Sequence, residues 1–326
     1  MLAIRQHEFG GPEELRLEEL EDPQPGVGEV RIAVRAAGVH LIDTAARRGE
    51  RAGPLPPATL PMTPGREVAG VVDAVGPEVD PGLVGKRVAA DLGARSGGYA
   101  ELTVTAAEGL HVLPDGLGFE AAVEMVGTGR TAMAILETAA PVAGDVAVVS
   151  AAAGGIGSIL VQALAGAGVT VVGLAGGAEK AAVVASLGAA AAIDYHADGW
   201  PEEVRAALGE RPVTLGLDGV GGGIGREVLE LVGVGGRLVM YGTASGAVTP
   251  LGAEDLYSRG ITVAAAISAR LFQRPGGLRE LESRALQAAA DGTVSPLIDR
   301  FALADAAAAH QAIEGRRNVG KIVLVP

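Results

Sequence analysis

The fold is decided by one stretch, Val146-Ala-Val-Val-Ser-Ala-Ala-Ala-Gly-Gly-Ile-Gly-Ser-Ile-Leu-Val-Gln-Ala-Leu-Ala-Gly-Ala-Gly168. It opens with β-branched and small apolar residues, which favour a strand, and then passes into glycines that favour a tight turn. Apolar residues follow at the spacing of one helical face, which predicts a helix. These residues are Ile156, Leu160, Ala163, Leu164 and Ala167. The stretch therefore predicts a strand, a glycine turn and a helix in succession.

The sequence around this stretch repeats the same alternation. From about residue 119, short apolar runs alternate with helical patterns, which indicates a parallel sheet covered on both faces. We therefore predict an α/β fold with a doubly wound, six-stranded parallel sheet. Its strands are predicted at 146–149, 169–174, 190–194, 215–218, 237–241 and 261–266. Beyond them we predict helices at 278–290 and around 303–314, and a terminal strand at 321–325.

The first third of the chain has a different texture. Short strand-like runs such as 30–34 and 67–75 lie between clusters of glycine and proline, which predicts a compact β-rich unit. The stretch 51–64 contains too many prolines for a helix or a central strand. We predict a surface loop there.

The glycine turn has the features of a dinucleotide-binding fingerprint. Gly154 and Gly155 let the backbone approach a pyrophosphate, Gly157 lets the helix pack closely on the strand, and the helix N-terminus supplies amide donors. Ala152 stands where the fingerprint has its first glycine. The alternative interpretation is a tight structural turn without a ligand, which the strand and helix around the glycines make the weaker one.

The end of the second predicted strand favours NADPH over NADH. An NAD site presents a carboxylate there to hold the ribose 2′-hydroxyl, but this chain reads Gly173-Leu-Ala-Gly-Gly-Ala-Glu-Lys180, with its first acid already in the next helix. Lys180 and the glycine amides can accept a 2′-phosphate, which a carboxylate would repel. The alternative is that Lys180 is only a solvated residue in the first turn of that helix.

Composition limits the partners. The chain has 326 residues, 48% hydrophobic and 20% charged, as in soluble globular proteins. Its 26 basic and 39 acidic residues give a net charge of −13, which repels nucleic acids and anionic membranes. There is no cysteine, so disulfides and thiolate ligands are excluded. The charged N-terminal stretch does not read as a signal peptide and no segment reads as a membrane span, so we expect a cytoplasmic protein.

Several further motifs resemble one family. They include Ala36-Ala-Gly-Val-His-Leu-Ile-Asp-Thr44, Thr63-Pro-Gly-Arg-Glu-Val-Ala-Gly-Val-Val72, Gly97-Gly-Tyr-Ala-Glu101, Asp218-Gly-Val-Gly-Gly222, Gly235-Gly-Arg-Leu-Val-Met-Tyr-Gly242 and Gly320-Lys-Ile-Val-Leu-Val-Pro326. In this order, and over nearly the whole chain, they resemble the zinc-free quinone oxidoreductases of the medium-chain dehydrogenase/reductase superfamily. The resemblance implies a GroES-like catalytic domain at 1–122, a Rossmann domain that binds NADPH at 123–266, and a return to the catalytic domain at 267–326, with the active site at their junction.

The resemblance also implies the site residues. Lys180 and Tyr195 match the positions that hold the NADPH phosphate, while the hydroxyl residue usual three positions before the lysine is Gly177 here. His40 replaces the usual asparagine and is the candidate catalytic residue. The full set of candidate cofactor-binding residues is Thr131, Ala153, Gly154, Gly155, Ile156, Gly157, Gly176, Lys180, Tyr195, Val220, Tyr241, Gly242, Asn318 and Lys321.

No metal is expected. The zinc-dependent branch of the superfamily uses cysteine and histidine ligands and a Gly-His-Glu motif, where this chain has Gly65-Arg66-Glu67 and no cysteine. The five histidines (His7, His40, His111, His196 and His310) are scattered along the sequence. We therefore expect no zinc site.

The expected reaction is hydride delivery from NADPH to a small quinone or an α,β-unsaturated carbonyl compound. His40, the nicotinamide ribose or water could protonate the product, and Tyr241 could act as a packing ring or as a proton donor. One alternative is an enoyl-thioester reductase, for which Arg47, Arg48 and Arg51 form the nearby basic cluster, although a solvated helix end is the stronger explanation for them. Another is a non-catalytic NADPH-binding sensor or a nucleic-acid-binding relative.

The last predicted strand of the sheet suggests an oligomer. Residues 261–267 are apolar and, at the edge of the sheet, would expose backbone groups that could pair with another strand. Pairing with a twofold-related copy would cover that edge. We expect a homodimer formed through this strand.

Overall fold

A computed structural model describes residues 1–50 and 58–326. The chain packs as two compact units. The first unit comprises Met1–Gly127 and Pro296–Pro326, and the second comprises Thr128–Ser295. The domain boundaries expected from the sequence remain a prediction, because compact packing does not by itself show which segments fold independently.

Strands and helices follow the chain in this order. The strands are β1 Leu2–Arg5, β2 Arg16–Glu19, β3 Glu29–Gly38, β4 Glu67–Val75, β5 Arg87–Asp91, β6 Leu102–Ala106, β7 His111–Val112, β8 Val146–Val149, β9 Thr170–Ala175, β10 Ala191–Asp194, β11 Val213–Asp218, β12 Val232–Met240, β13 Thr262–Ala265, β14 Ile298–Ala302 and β15 Lys321–Val325. The helices are α1 Leu41–Arg47, α2 Phe119–Glu124, α3 Arg130–Ala139, α4 Gly155–Gly166, α5 Ala178–Ser186, α6 Trp200–Leu208, α7 Gly222–Leu231, α8 Ala253–Arg259, α9 Ala269–Phe272, α10 Arg279–Ala290 and α11 Ala306–Glu314. A π-helical turn, Met125–Gly129, follows α2.

The first unit is built on a mixed sheet. Among the described residues its strand order is β14-β15-β3-β4-β5-β7, with β6 also paired to β3. Strand β14 runs parallel to β15, and the other pairs are antiparallel. Alternate residues of β3 (Val30, Ile32 and Val34) are buried in its core, as the period of two along a strand requires.

The strands predicted in the first unit agree with the structure. The run at 30–34 lies within β3, and the run at 67–75 coincides with β4. The predicted loop at 51–64 falls partly on residues 51–57, which lie outside the described residues.

The second unit confirms the predicted α/β fold. Its six strands are all parallel and lie in the order β10-β9-β8-β11-β12-β13. Strand β12 begins at Val232, five residues before the predicted start at 237, because its glycines broke the apolar pattern while its backbone still pairs with β11. The chain order reverses at β8, which has β9 on one side and β11 on the other. Ligands of such sheets bind beside the carboxyl ends of the strands at this switch point.

Sequence reasoning did not predict strand β14. It assigned only a proline-containing segment to the residues of β14, since Asp299 and Arg300 interrupt the apolar pattern. β14 lies at the edge of the first unit's sheet, where charged residues are tolerated because one side of an edge strand faces solvent. None of the helices in the described residues is both long and apolar enough to cross a membrane.

Candidate active site

The predicted fingerprint lies at the switch point of the second unit. β8 ends at Val149 and α4 begins at Gly155, so the glycine turn connects them directly. The first helical hydrogen bond runs from the Ser158 amide to the Gly154 carbonyl, which leaves the preceding amides of the first turn directed out of the helix end. A Cβ atom at Gly157 would overlap the carbonyl oxygen of Ala151, whereas one at Gly154 would meet that oxygen at 3.4 Å. The turn thus has the close packing and the amide donors that a pyrophosphate site requires.

A buried carboxylate organises the neighbouring strand end. Asp218 closes β11, is fully buried, and accepts hydrogen bonds from the Ser150 hydroxyl at 2.9 Å and the Val220 amide at 2.9 Å. The Gly221 amide and the Thr249 hydroxyl also donate to it. Asp218 therefore joins the ends of β8 and β11 and fixes the loop after β11, which carries the predicted residue Val220. Sequence reasoning gave Asp218 no role, although a single acid at the end of an apolar run was the available signal.

Tyr241 packs against this arrangement. Its hydroxyl donates to the Ser150 carbonyl at 3.0 Å, and a Cβ atom at Gly219 would contact its ring. Burial raises the pKa of Tyr241, so its hydroxyl keeps its proton. Of the two roles open to Tyr241, these contacts favour the packing ring. The predicted residue Gly242 follows it, and a Cβ there would collide with the Gly219 carbonyl.

The residues predicted to hold the NADPH phosphate lie just beyond the ends of β9 and β10. The Tyr195 and His196 rings meet edge to face, with centroids 4.9 Å apart. A Cβ at Gly176 would lie 3.1 Å from the Tyr195 hydroxyl and 2.9 Å from His196 Cε1, so glycine leaves both rings access to this place. Lys180 is half-buried in the first turn of α5. His196, which the sequence analysis named only among five scattered histidines, lies beside Tyr195. Its position directly after Tyr195 was the available signal.

Asp194 lies beside these residues. The Gly177 amide donates to its carboxylate at 2.8 Å and the His196 amide at 2.9 Å, and these bonds lower the pKa of Asp194. The carboxylate therefore anchors the two loops that carry Gly177 and His196. It ends β10, whereas the ribose-binding acid of an NAD site would end β9, where this chain has Ala175.

His40 belongs to a charged cluster in the first unit. His40 Nε2 lies 2.8 Å from Glu67 Oε1 and 3.0 Å from Lys321 Nζ, and Lys321 Nζ lies 2.5 Å from Glu67 Oε1. The fold brings them together because β15 pairs with β3 and β3 pairs with β4. His40 precedes α1, while Glu67 and Lys321 are the first residues of β4 and β15. Sequence reasoning proposed His40 and Lys321 separately and did not connect them.

Glu67 is ionised in this cluster. Burial by itself would raise the pKa of Glu67, but its close contacts with His40 and Lys321 outweigh burial and lower it to about 2. A Cβ at Gly38 or at Gly127 would overlap the Glu67 carboxyl group. Both glycines therefore make room for a buried carboxylate beside the backbone.

Glu124 is a second buried acid near the cluster. It is the last residue of α2 and is fully buried, with neither carboxyl oxygen hydrogen-bonded to any residue that the structure describes. Burial raises the pKa of Glu124 well above its usual range, and the nearby negative Glu67 raises it further, against the opposing effect of Lys321. Burial therefore favours the protonated, neutral form of Glu124.

One residue of the basic cluster considered for a thioester substrate, Arg47, is not solvated. Arg47 is buried, with 1% of its surface exposed, and its guanidinium contacts Glu314 at 2.7 Å and His310 Nδ1 at 3.1 Å. Arg48 pairs with Glu50 and Glu314. The interpretation as a solvated end was wrong for Arg47, because α11 packs against α1 and covers it. Arg51 lies outside the described residues.

The remaining predicted cofactor residues are divided between the units. Thr131 lies in α3 of the second unit, Ala153 in the fingerprint turn and Ile156 in the first turn of α4. Asn318 lies in the first unit, where its amide donates to the Gly320 carbonyl at 2.9 Å. Lys321, also predicted to bind the cofactor, has its ammonium group engaged by Glu67 and His40.

The donor groups present do not fit a zinc ion. The chain contains no cysteine, and residues 1–50 and 58–326 contain no group of three or more histidines and acids arranged to hold a metal. His40 is within ion-pair distance of one carboxylate, Glu67, and the buried cation Lys321 occupies the adjacent position. A lysine ammonium beside the donors would repel a divalent cation.

Comparisons with known proteins agree with this architecture. Residues 26–115 match the alcohol dehydrogenase GroES-like domain, and residues 155–283 match the model described as zinc-binding dehydrogenase. A quinone oxidoreductase of Pseudomonas aeruginosa is 35% identical over 98% of this chain and 97% of that protein. A 2-haloacrylate reductase of Burkholderia is 34% identical over 100% of this chain and 99% of that protein.

Solved structures give the same result. A mycobacterial protein complexed with NADPH is 35% identical over the full length of both chains, with a TM-score of 0.85. The quinone oxidoreductase of Escherichia coli complexed with NADPH is 28% identical over the full length of both chains, with a TM-score of 0.86. Both the sequence identity and the fold extend over the whole chain. This protein therefore belongs to the quinone oxidoreductase family of the medium-chain dehydrogenase/reductase superfamily.

Proposed function

We propose that this protein is an NADPH-dependent reductase that transfers a hydride to a small quinone or an α,β-unsaturated carbonyl compound without zinc. The observation that carries the proposal is the glycine turn between β8 and α4 at the switch point of the parallel sheet. Relatives named quinone oxidoreductase and 2-haloacrylate reductase support both acceptor classes, since each accepts electrons at an activated double bond.

The residues at the ends of β9 and β10 support NADPH as the cofactor. Lys180, Tyr195 and His196 lie around the glycines after β9, and the end of that strand carries no acid. Lysine and histidine can donate charge-assisted hydrogen bonds to a 2′-phosphate, and the phenol adds a neutral donor. NADH, which lacks this phosphate, would gain nothing from these groups.

Bound NADPH supplies the hydride at its nicotinamide ring. The chain contributes position and charge: the fingerprint amides would hold the pyrophosphate, and Tyr241 presents a packed ring at the end of the central strands. A hydride adds a negative charge to the acceptor, so the product also needs a proton. His40 is the proposed donor, because its side chain is partly exposed, at 26%, within a charged cluster.

The alternatives have less support. An enoyl-thioester reductase would use basic residues to hold the phosphates of its carrier, but Glu314 contacts both Arg47 and Arg48. A non-catalytic NADPH sensor would keep the nucleotide site without needing the His40 cluster. Turnover with a defined acceptor distinguishes a reductase from a sensor.

The test is a fluorescence titration with NADPH and NADH, followed by addition of 1,4-benzoquinone, a simple enone or a short enoyl-CoA. We expect tight NADPH binding and oxidation by the quinone or the enone. Lys180→Ala should weaken NADPH binding at least about tenfold, because a charged hydrogen bond contributes about 1.5–3 kcal/mol, and should leave NADH binding unchanged. Lys86→Ala, which changes an exposed lysine of the first unit, is the control. Binding without oxidation by any acceptor would support the sensor, and no nucleotide binding would refute the proposal.

A further inference from the structure

One nitrogen atom has two competing neighbours in the first unit. His40 Nε2 lies 3.0 Å from Lys321 Nζ and 2.8 Å from Glu67 Oε1. A ring nitrogen carries either a hydrogen or a lone pair, so Nε2 can donate to Glu67 or accept from Lys321, but cannot do both. The two contacts therefore correspond to two different proton arrangements of the same three side chains.

The geometry identifies the resting arrangement. The contact between Lys321 and His40 is an aligned hydrogen bond, whereas neither contact at Glu67 Oε1 has hydrogen-bond alignment. An ammonium group only donates, so Nε2 must present its lone pair to Lys321. The imidazole is then neutral and carries its hydrogen on Nδ1.

The charges around the cluster agree with this arrangement. Lys321 and Glu67 are buried, with 4% and 2% of their side chains exposed, and lie 2.5 Å apart, so each neutralises the other. Burial favours the protonated, neutral form of Glu124, the other buried acid nearby. An additional charge on His40 would have no counter-ion in the cluster. The contacts with Lys321 and Glu67 are both made by Nε2, so the N–H on Nδ1 can serve a ligand.

We propose that Lys321 supplies the proton for the reduced acceptor and that His40 passes it on by changing tautomer. This inference rests on the proposed reductase function. As the Nδ1–H bond breaks, an O–H or C–H bond forms on the anionic product; at the same time an Nζ–H bond of Lys321 breaks and an Nε2–H bond forms. The product becomes neutral, Lys321 becomes a neutral amine, and His40 stays neutral. Water or a buffer acid then returns a proton to Lys321.

The contact between His40 Nε2 and Glu67 Oε1 fits the proton arrangement after the transfer. Nε2 now carries a hydrogen and has Glu67 Oε1 at 2.8 Å as an acceptor, which a small rotation of the ring can align. Glu67 is thus a positioning residue that holds Lys321 before the transfer and His40 after it. This arrangement gives Lys321, predicted from the sequence to bind the cofactor, a role in proton transfer.

The resting tautomer can be measured without any turnover. In protein labelled with ¹⁵N-histidine, the two ring nitrogens of His40 should show a protonated Nδ1 and an unprotonated Nε2 at neutral pH. His40→Asn assigns the signal among the five histidines. Labelling the lysines gives a second observation. The signal of Lys321 has to be distinguished only from those of Lys86 and Lys180, the chain's other two lysines. A protonated Nε2, or a doubly protonated ring, in the resting protein would overturn the inference.

The kinetic test uses Lys321→Arg, because arginine keeps the charge and the donors but does not release its proton in proteins. We expect enone and quinone reduction to fall about 100-fold, the lower end of the effect of a general acid, with NADPH affinity within twofold of the unsubstituted protein. Lys86→Arg is the matched control and should change neither quantity.

The outcomes separate the two proposals. An unchanged rate in Lys321→Arg, or a loss of NADPH affinity instead of rate, would overturn the relay while leaving the reductase function intact. If Lys321→Arg does not fold, the tautomer of His40 in the unsubstituted protein decides whether the relay stands. A protein that binds NADPH but reduces no acceptor would overturn the proposed function, and the relay with it, whatever the tautomer.

Discussion

At the residue scale, a buried hydrogen-bond chain fixes the charge of His310. Arg47 donates to His310 Nδ1, so that atom must be an acceptor and the ring hydrogen lies on Nε2. Nε2 then donates to the Tyr99 hydroxyl at 3.2 Å, which donates to Asp43 at 3.2 Å. Arg66 contacts the other oxygen of Asp43. The direction of each hydrogen bond along this path is therefore fixed. The path links α1, α11 and the loop before β6.

The buried position of His310 in this hydrogen-bond path makes the stability of the first unit depend on pH. Burial, assisted by the positive charge of Arg47 and opposed by Asp43, lowers the pKa of His310 to about 4. A histidine whose pKa is lower in the folded state contributes stability that is fully present above its unfolded pKa of about 6.5 and is lost as the pH falls towards 4. The loss should approach about 3 kcal/mol across that range.

His310→Gln tests this dependence. We expect the variant to be less stable than the unsubstituted protein at pH 7.5, with the difference shrinking by pH 4.5, because glutamine has no proton to gain. Urea unfolding followed by circular dichroism at both pH values measures it. His7→Gln, at a histidine with 45% of its side chain exposed, is the control. A stability difference that stays constant with pH would contradict the assignment of a buried neutral His310.

At the element scale, the glycines of α4 have different tasks. A Cβ at Gly157 would overlap the Ala151 carbonyl and press on the backbone of Ala152, so α4 could not approach β8 as closely. Gly166, at the other end of the same helix, is exposed and has no atom within 4 Å of a Cβ position. The first glycine is needed for helix-to-strand packing, and the second is not.

Gly157→Ala and Gly166→Ala form a matched pair. For Gly157→Ala we expect a loss of stability of about 1–3 kcal/mol from overpacking and at least a tenfold weaker binding of NADPH, about 1.4 kcal/mol, as the helix end moves. Gly166→Ala should leave binding unchanged and stabilise the protein by up to about 1 kcal/mol. Thermal unfolding and NADPH titration give both quantities. Equal NADPH affinity in the two variants would show that the close approach of α4 does not matter for binding.

At the scale of the whole molecule, β13 is an edge strand. It pairs with β12 on one side and is the last strand in the order of the second unit's sheet. Thr262, Ala265 and Ile267 are exposed around it. Exposed edges favour pairing with another chain, and a twofold axis would let two copies of this strand pair antiparallel. We therefore maintain the prediction of a homodimer through this edge.

Sedimentation at micromolar protein concentration tests this prediction. The 32.5 kDa chain should sediment with twice its mass. Ala265→Lys should shift the population towards monomer, because a lysine at an edge disfavours pairing between strands. Val234→Lys, at a residue with 85% of its surface exposed in β12, is the control and should remain dimeric. A monomeric mass for the unsubstituted protein would contradict the prediction.

The sequence by itself determined the elements whose signals are local. The run of apolar residues before Gly154 and the helical period after it predicted β8 and α4, and the apolar run at 67–75 predicted β4. These signals work because strand and helix periods repeat within a few residues. The same logic failed for β14, whose charged residues hide a strand that is stabilised mainly by its parallel partner β15.

Only the tertiary structure determined which charged side chains meet. His40 and Lys321 are 281 positions apart, and they meet because β15 adds to the sheet beside β3. Arg47 looked like part of a solvated helix end, and it is buried because α11 arrives from the other end of the chain and covers it. Sequence periodicity records which face of an element is apolar, but not which distant element will pack against it. For this protein the nucleotide-binding turn could be predicted from the sequence, while the proton arrangement proposed here depends on contacts that exist only in the folded chain.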